Sequence, residues 1–230
     1  MSKELNKRIV TSVLLFLLAI FCIFNKQAFI ITIFVSSCIA FSEINKMIYR
    51  ITRSVYNKKW IIFNILSFFY FFFIFTPLAF GLHMESPTFL LYVLSICICS
   101  DIGGYITGRT IGGKKLTKIS PNKTISGSIG SFCFSILPLL LFYNFDQSKY
   151  LYSIDNFILC IQISFVCQLG DLYISYIKRK AKVKDSGKIL PGHGGLLDRI
   201  DGIIFVIPFV QIYLTGFSGY IEMWTYVISR

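Results

Sequence analysis

A chain of 230 residues with 55% hydrophobic side chains and a mean hydropathy of +0.68 exceeds the roughly 45–50% apolar usage of a soluble domain, so the composition excludes a water-soluble globular protein. The net charge of +12 would suit a nucleic-acid binder, but the placement of the cations, given below, assigns the charge to membrane topology instead.

Apolar runs close to the roughly 20 residues that a bilayer-crossing helix needs recur along the chain. They are read at 9–24, 28–42, 60–81, 88–107, 125–143, 153–177 and 202–217, with an eighth at 218–229. The expectation is an all-α, polytopic integral membrane helix bundle of about 7–8 transmembrane helices. The first run follows Lys7 and Arg8 without a small-residue cleavage site after Phe24, which reads as a retained span rather than a signal peptide. With a cytoplasmic N-terminus, 20 of the 23 Lys and Arg fall on the inner side, and only Lys26, Lys149 and Arg230 fall outside. The positive-inside rule accounts for this asymmetry without a nucleic-acid partner. All seven cysteines lie within apolar runs, with neither zinc-site spacing nor a disulfide framework, and read as small buried hydrophobes.

Residues 1–97 carry almost no ionisable group within their spans, and the run "WIIFNILSFFYFFFIF" carries none. They are expected to form a transmembrane scaffold, with packing or homodimer contacts as their role. His83 reads as an inert residue of a short outer loop. Residues 98–230 are the expected catalytic region, because from Asp101 onward the spans carry charge, and a carboxylate at membrane depth costs about 2.5–3.5 kcal/mol on insertion scales.

Two stretches concentrate the polar groups. In "SDIGGYITGRTIGGKKLTKISPNKTISGSIG", 100–130, Asp101 and Tyr105 share a helical face and Gly104 with Gly108 permits close helix approach. Pro121 disfavours helix at Ser120, and Lys123 and Thr124 open the next helix, an arrangement suited to phosphate. In "GDLYISYIKRKAKVKDSGKILPGHGGLLDRIDG", 170–202, Asp171, Ser175 and Lys178 or Arg179 form one helical stripe. Pro191 breaks the chain, Gly192, Gly194 and Gly195 let backbone approach a ligand, and His193 sits among them as a candidate for phosphate contact or proton transfer. Asp198 and Asp201 follow at i and i+3. Several carboxylates suit Mg²⁺, which takes one or two of them with phosphates and waters, and adjacent Lys and Arg would hold the phosphates. The chemistry that fits is phosphoryl or nucleotidyl transfer at a membrane surface.

From Ser175 to Asp201, "SYIKRKAKVKDSGKILPGHGGLLDRID" resembles without a gap the signature of phosphatidate cytidylyltransferases (CDP-diacylglycerol synthases): Ser, Lys-Arg, Lys-Asp, Pro-Gly-His-Gly-Gly and Asp-Arg-x-Asp in order. Asp101, Tyr105, Gly108 and "SPNKT" are similar to the family's second region, although Ile125 and Ser126 stand where an aromatic and an acidic residue are usual. The chain is also short for that family, which reads as a loss of N-terminal spans. The resemblance implies transfer of CMP from CTP to phosphatidic acid with Mg²⁺, in a bacterial inner membrane with the site facing the cytoplasm. It implies metal held by Asp171, Asp198 and Asp201, with Asp101 and Asp185 as further candidates. Lys178, Arg179, Lys184 and Arg199 would neutralise phosphates, and the 192–195 turn would meet pyrophosphate.

Three rivals are weighed. A CDP-alcohol phosphotransferase motif needs Ala-Arg where Phe205 and Val206 stand and further aspartates, yet no Asp follows Asp201. A CTP-dependent polyprenol kinase would release CDP rather than pyrophosphate. A cation-coupled transporter predicts charges spread across the membrane, whereas these gather at one side.

Overall fold

The structure, a computed structural model, describes the backbone of residue 14 and of residues 17–142, 154–190 and 194–228. Helix α1 (Lys26–Thr52) is capped by Asn25, whose side chain accepts from the Ala28 N–H at 3.0 Å, and ends at Arg53 in the left-handed region. Helix α2 (Lys58–Phe69) is capped in the same way by Asn57. A π-helical turn (Tyr70–Phe75) joins it to α3 (Thr76–Glu85), and α4 (Pro87–Thr110) starts on Ser86 with Pro87 in its first turn. Helices α5 (Ile125–Phe134) and α6 (Leu137–Phe142) follow a loop, and α7 (Ile154–Lys180) is the next long one. A single turn, α8 (Leu197–Ile200), leads into α9 (Ile203–Ile228), which is broken at Gly216.

Among the described residues four stretches are long and apolar enough to cross a membrane: Lys26–Thr52, Lys58–Glu85, Pro87–Thr110 and Ile154–Lys180. Ile125–Leu140 and Ile203–Gly216 are shorter apolar helices, so the run read at 125–143 is divided near Ser135. The run read at 28–42 continues ten residues further, and residues 9–13, 15 and 16 of the run at 9–24 lie outside the described residues. Outward faces remain greasy, as at Ile62, Ile65, Leu66 and Phe69, which suits lipid rather than water around the bundle. Val93, Ile96, Cys160, Ile163, Ile204 and Val210 form the core between α4, α7 and α9.

Two prolines explain local irregularities. Pro208 inside α9 lacks the N–H that would bond the carbonyl four residues back, at Ile204. Tyr70 supplies the missing donor, its hydroxyl reaching Ile204 O at 2.6 Å. The π-helical turn that presents Tyr70 lies just before Pro77, and Thr76 Oγ1 donates to Phe71 O at 2.7 Å within it. His83 is buried rather than idle in a loop: it bonds Ile23 O at 2.9 Å and stacks on Phe29. Cys22, Cys97, Cys160 and Cys167 are buried as expected, whereas Cys38 and Cys133 lie on outward faces, where an apolar side chain is equally at home in lipid.

Helices α4 and α5 approach most closely through glycine. Gly103, Gly104 and Gly108 face Gly127, Gly130 and Ser131, as the small-residue spacing predicted. Any Cβ at Gly130 would run into the Thr107 side chain, which itself bonds Gly103 O at 2.7 Å and Ser126 O at 3.2 Å. Gly130→Ala is therefore expected to destabilise the bundle by about 1–3 kcal/mol through overpacking, read as a lowered unfolding temperature in detergent.

Candidate active site

The loop 111–124 and residues 181–190 and 194–196 meet at one end of the bundle, where α7 finishes. The first folds back on itself, with Leu116 N–H to Lys123 O at 2.8 Å and Ile125 N–H to Lys114 O at 3.0 Å. Ser120 lies within its turn, its N–H on Thr117 Oγ1. Thr124 then caps α5 by accepting from the Gly127 N–H at 3.0 Å, which leaves the neighbouring Lys123 to reach across to α7.

There Lys123 forms an ion pair with Asp171 Oδ2. Ser175, one turn on, donates to Asp171 Oδ1 at 3.3 Å, so the predicted stripe is real. Asp171 is also hydrogen-bonded to Asp201, and Asp101 from α4 feels both Asp171 and Lys123. Asp201 is brought there by close packing: Gly170 abuts Gly202 and the Asp201 carbonyl, and Gly202 abuts Cys167. Burial, and then the neighbouring Asp171 carboxyl, push Asp201 above the ordinary carboxylate range. A cation in the cluster inverts that effect.

Asp198 occupies a second centre beside the first. Its Oδ1 takes a hydrogen bond from Lys178 Nζ at 2.8 Å, and its Oδ2 accepts from Ser186 N–H at 2.8 Å and Gly195 N–H at 3.0 Å, with Ser186 Oγ 3.0 Å away. Burial opposes the charge, but the Lys178 ammonium and the Ser186 and Gly195 donors outweigh it and hold this carboxyl below the ordinary range. Gly194, at φ +85°, makes the turn that brings Gly195 there and packs against Asp185.

The remaining predicted residues are placed as follows. Arg179, in the last turn of α7, donates to Ile119 O at 3.4 Å and so ties the helix to the loop 111–124. Tyr105 is exposed, shares no contact with Asp101 among those described, and receives the Arg109 guanidinium at 2.7 Å. Lys184, Asp185 and Arg199 are exposed around the second centre. Gly192 and His193, with Pro191, lie outside the described residues.

Two residues escaped the sequence reading. Ser186 is buried against Asp198, and Glu43 of α1, fully buried, bonds Ser186 and the backbone of Leu196 and Leu197. The available signal for Glu43 was the apolar spacing of Ala40, Ile44, Met47 and Ile48, which carries the helix and its buried face past residue 42.

Among the described residues no group of three or more His, Cys, Asp or Glu is arranged as a ready-made metal cage. Mg²⁺ does not require one, since it usually takes one or two carboxylates and completes its shell with phosphate oxygens and water. The hydrogen-bonded Asp171–Asp201 pair, with Asp101 alongside, has the hard oxygen donors that fit it. An apolar cavity of about 460 Å³ lies elsewhere, on the reverse face of α7, lined by Ile44, Phe63, Tyr173, Ile177 and Phe205 among others.

A polytopic helical membrane protein with a carboxylate and lysine cluster at one end of its bundle is the class that fold and site define. The chain belongs to the cytidylyltransferase family, whose family model matches residues 47–217. It is 45% identical over 136 residues to the phosphatidate cytidylyltransferase of Staphylococcus aureus (strain COL), covering 58% of this chain and 50% of that one. Similarity to the Bacillus subtilis (strain 168) protein of the same name is 40% over 132 residues, 57% of this chain and 49% of the other. The chain spans about half the length of the curated relatives it matches.

Proposed function

We propose that this protein transfers CMP from CTP to phosphatidic acid, giving CDP-diacylglycerol and pyrophosphate, at the cytoplasmic face of a bacterial inner membrane. The observation that carries the reading is that the Asp171–Asp201 cluster, with Lys123 on Asp171, lies beside the Asp198–Lys178 pair at one end of the bundle. The Lys and Arg of both loops at that end support a cytoplasmic orientation.

In this reaction an oxygen of the phosphatidate phosphate forms a bond to the α-phosphorus of CTP as the bond to the β-phosphate bridging oxygen breaks, and pyrophosphate leaves. Asp171 and Asp201 would hold Mg²⁺, with Asp101 beside them and Asp198 one turn away. When bound, Mg²⁺ supplies charge neutralisation at the phosphate oxygens. Lys123 and Lys178 add fixed positive charge against the phosphates, and each is kept extended by its carboxylate partner. Gly195 and Ser186 fix the Asp198 carboxylate, and thereby the Lys178 ammonium. The lipid tails remain in the bilayer, so only the headgroup need reach the loops.

The test is to supply the detergent-purified protein with cytidine-labelled CTP, phosphatidic acid and Mg²⁺. Lipid-extractable label and pyrophosphate are expected in equal amounts, and EDTA should abolish both. Release of CDP with label-free lipid from a polyprenol acceptor would replace this reading by a lipid kinase.

A further inference from the structure

Glu43 lies in α1, outside the family-matched residues 47–217, and is fully buried at the inner end of the helix. Its Oε2 accepts from Ser186 Oγ at 2.7 Å and Leu197 N–H at 2.9 Å, and its Oε1 accepts from Leu196 N–H at 3.1 Å. Those two N–H groups open α8 and have no partner within a helix at that position. Gly187 and Gly195 both pack against the carboxylate so closely that neither has room for a Cβ. Ser186, its one hydroxyl proton spent on Glu43 at the shorter distance, places its N–H on Asp198 Oδ2 at 2.8 Å, and Asp198 Oδ1 holds Lys178.

We infer that Glu43 is a positioning residue for the reaction: it pins Ser186 and the Leu196–Leu197 backbone to α1 and, through Ser186, sets the Asp198–Lys178 pair. The inference rests on the proposed CMP transfer for its catalytic consequence, while the pinning itself is independent of which reaction occurs. The three donors that converge on Glu43 require a side chain with two accepting oxygens and no donor. Glutamine keeps the shape but has one oxygen, and its NH₂ group must face at least one of the N–H or O–H donors. Aspartate keeps both oxygens and is one methylene short.

The experiment compares Glu43→Gln, Glu43→Asp, Ser186→Ala and the Glu43→Gln/Ser186→Ala double variant with wild type, all as full chains in lipid nanodiscs. Gln211→Leu serves as a structural control, because it removes the bond from Gln211 to Glu85 at the opposite end of the bundle. Glu43→Gln should lower kcat about 10–100-fold, in line with the loss of a group that orients a metal or phosphate site, with KM for CTP changed less than about threefold. The double variant should be no worse than Glu43→Gln, and Glu43→Asp should recover part of the loss. Amides in peptides spanning 184–198 should exchange faster in Glu43→Gln while those of α4 and α5 are unchanged. Gln211→Leu should lower the unfolding temperature without lowering kcat of the folded fraction. Unchanged exchange across 184–198, or a kcat of folded Glu43→Gln within twofold of wild type, overturns the inference. If wild type transfers no CMP, the functional reading falls and the exchange result alone decides whether Glu43 pins the segment.

Discussion

Asp198→Asn is expected to reduce CMP transfer by about 10²–10³-fold or more while the protein still accumulates in the membrane. Three donors point at the two oxygens of Asp198, one of them the Lys178 ammonium. Asparagine has one oxygen and must choose. Kept at the Oδ2 position, it satisfies Ser186 and Gly195 and turns its NH₂ group on Lys178; reversed, it keeps Lys178 and sets NH₂ against two N–H donors. The first arrangement preserves more bonds, so the loop survives and the ammonium loses its partner. Removing one member of a pair this buried typically costs about 3–5 kcal/mol because the other charge stays behind. Lys178 can relieve that cost only by moving toward Asp171 and Asp201, which displaces positive charge from its place and alters the neighbouring cluster. Initial rates with CTP and phosphatidic acid, set against immunoblotted membrane levels, measure the effect. Activity within tenfold of wild type would remove Asp198 from the reaction.

How far the sequence carried this picture depends on which physical rule each residue obeys. The Asp171, Ser175 and Lys178 stripe was legible because a regular helix of 3.6 residues per turn fixes who shares a face, and α7 is regular there. The glycine contact between α4 and α5 was legible for the same reason. Asp198 and Asp201 were seen as a pair pointing one way, yet they serve two centres. The single turn of α8 and the close Gly170–Gly202 contact decide that division, and neither is written in i, i+3 spacing. Tyr105 pairs with Arg109 one turn on rather than with Asp101, whose charge neighbours are Asp171 and Lys123 of the loop 111–124.

Glu43 shows the commonest failure of hydropathy reading. Ending the span where the apolar run ends, at residue 42, placed this carboxylate in a cytoplasmic loop, where it needs no explanation. The buried face in fact runs on through Ile44, Met47 and Ile48, and a carboxylate on that face must have partners. Those partners are more than 140 residues away in sequence, which no local rule reaches. The π-helical turn was hidden for the opposite reason: a run of aromatic and aliphatic residues has no periodicity to interrupt, so its register shift becomes visible only when Tyr70 meets the carbonyl that Pro208 leaves free.

Asp171→Asn should lower kcat/KM by about 10²-fold and raise the Mg²⁺ concentration for half-maximal activity by about 10–100-fold. Asp171 is the residue through which the first centre is joined, since it bonds Ser175, pairs with Lys123 and shares a hydrogen bond with Asp201. Two roles are compatible with those contacts: holding Lys123 in position, or holding a divalent cation in company with Asp201. They separate in the Mg²⁺ dependence. If Asp171 serves only to orient Lys123, then Lys123→Met and Asp171→Asn should lower the rate alike and leave the Mg²⁺ requirement unmoved. If Asp171 is a cation ligand, the aspartate substitution alone raises that requirement, and Lys123→Met should lower it, because the carboxylate no longer has an ammonium competing with the metal. A Mg²⁺ titration of the three proteins at saturating CTP decides between them, and the adjoining carboxyls of Asp171 and Asp201, as many as Mg²⁺ usually takes, favour the second outcome.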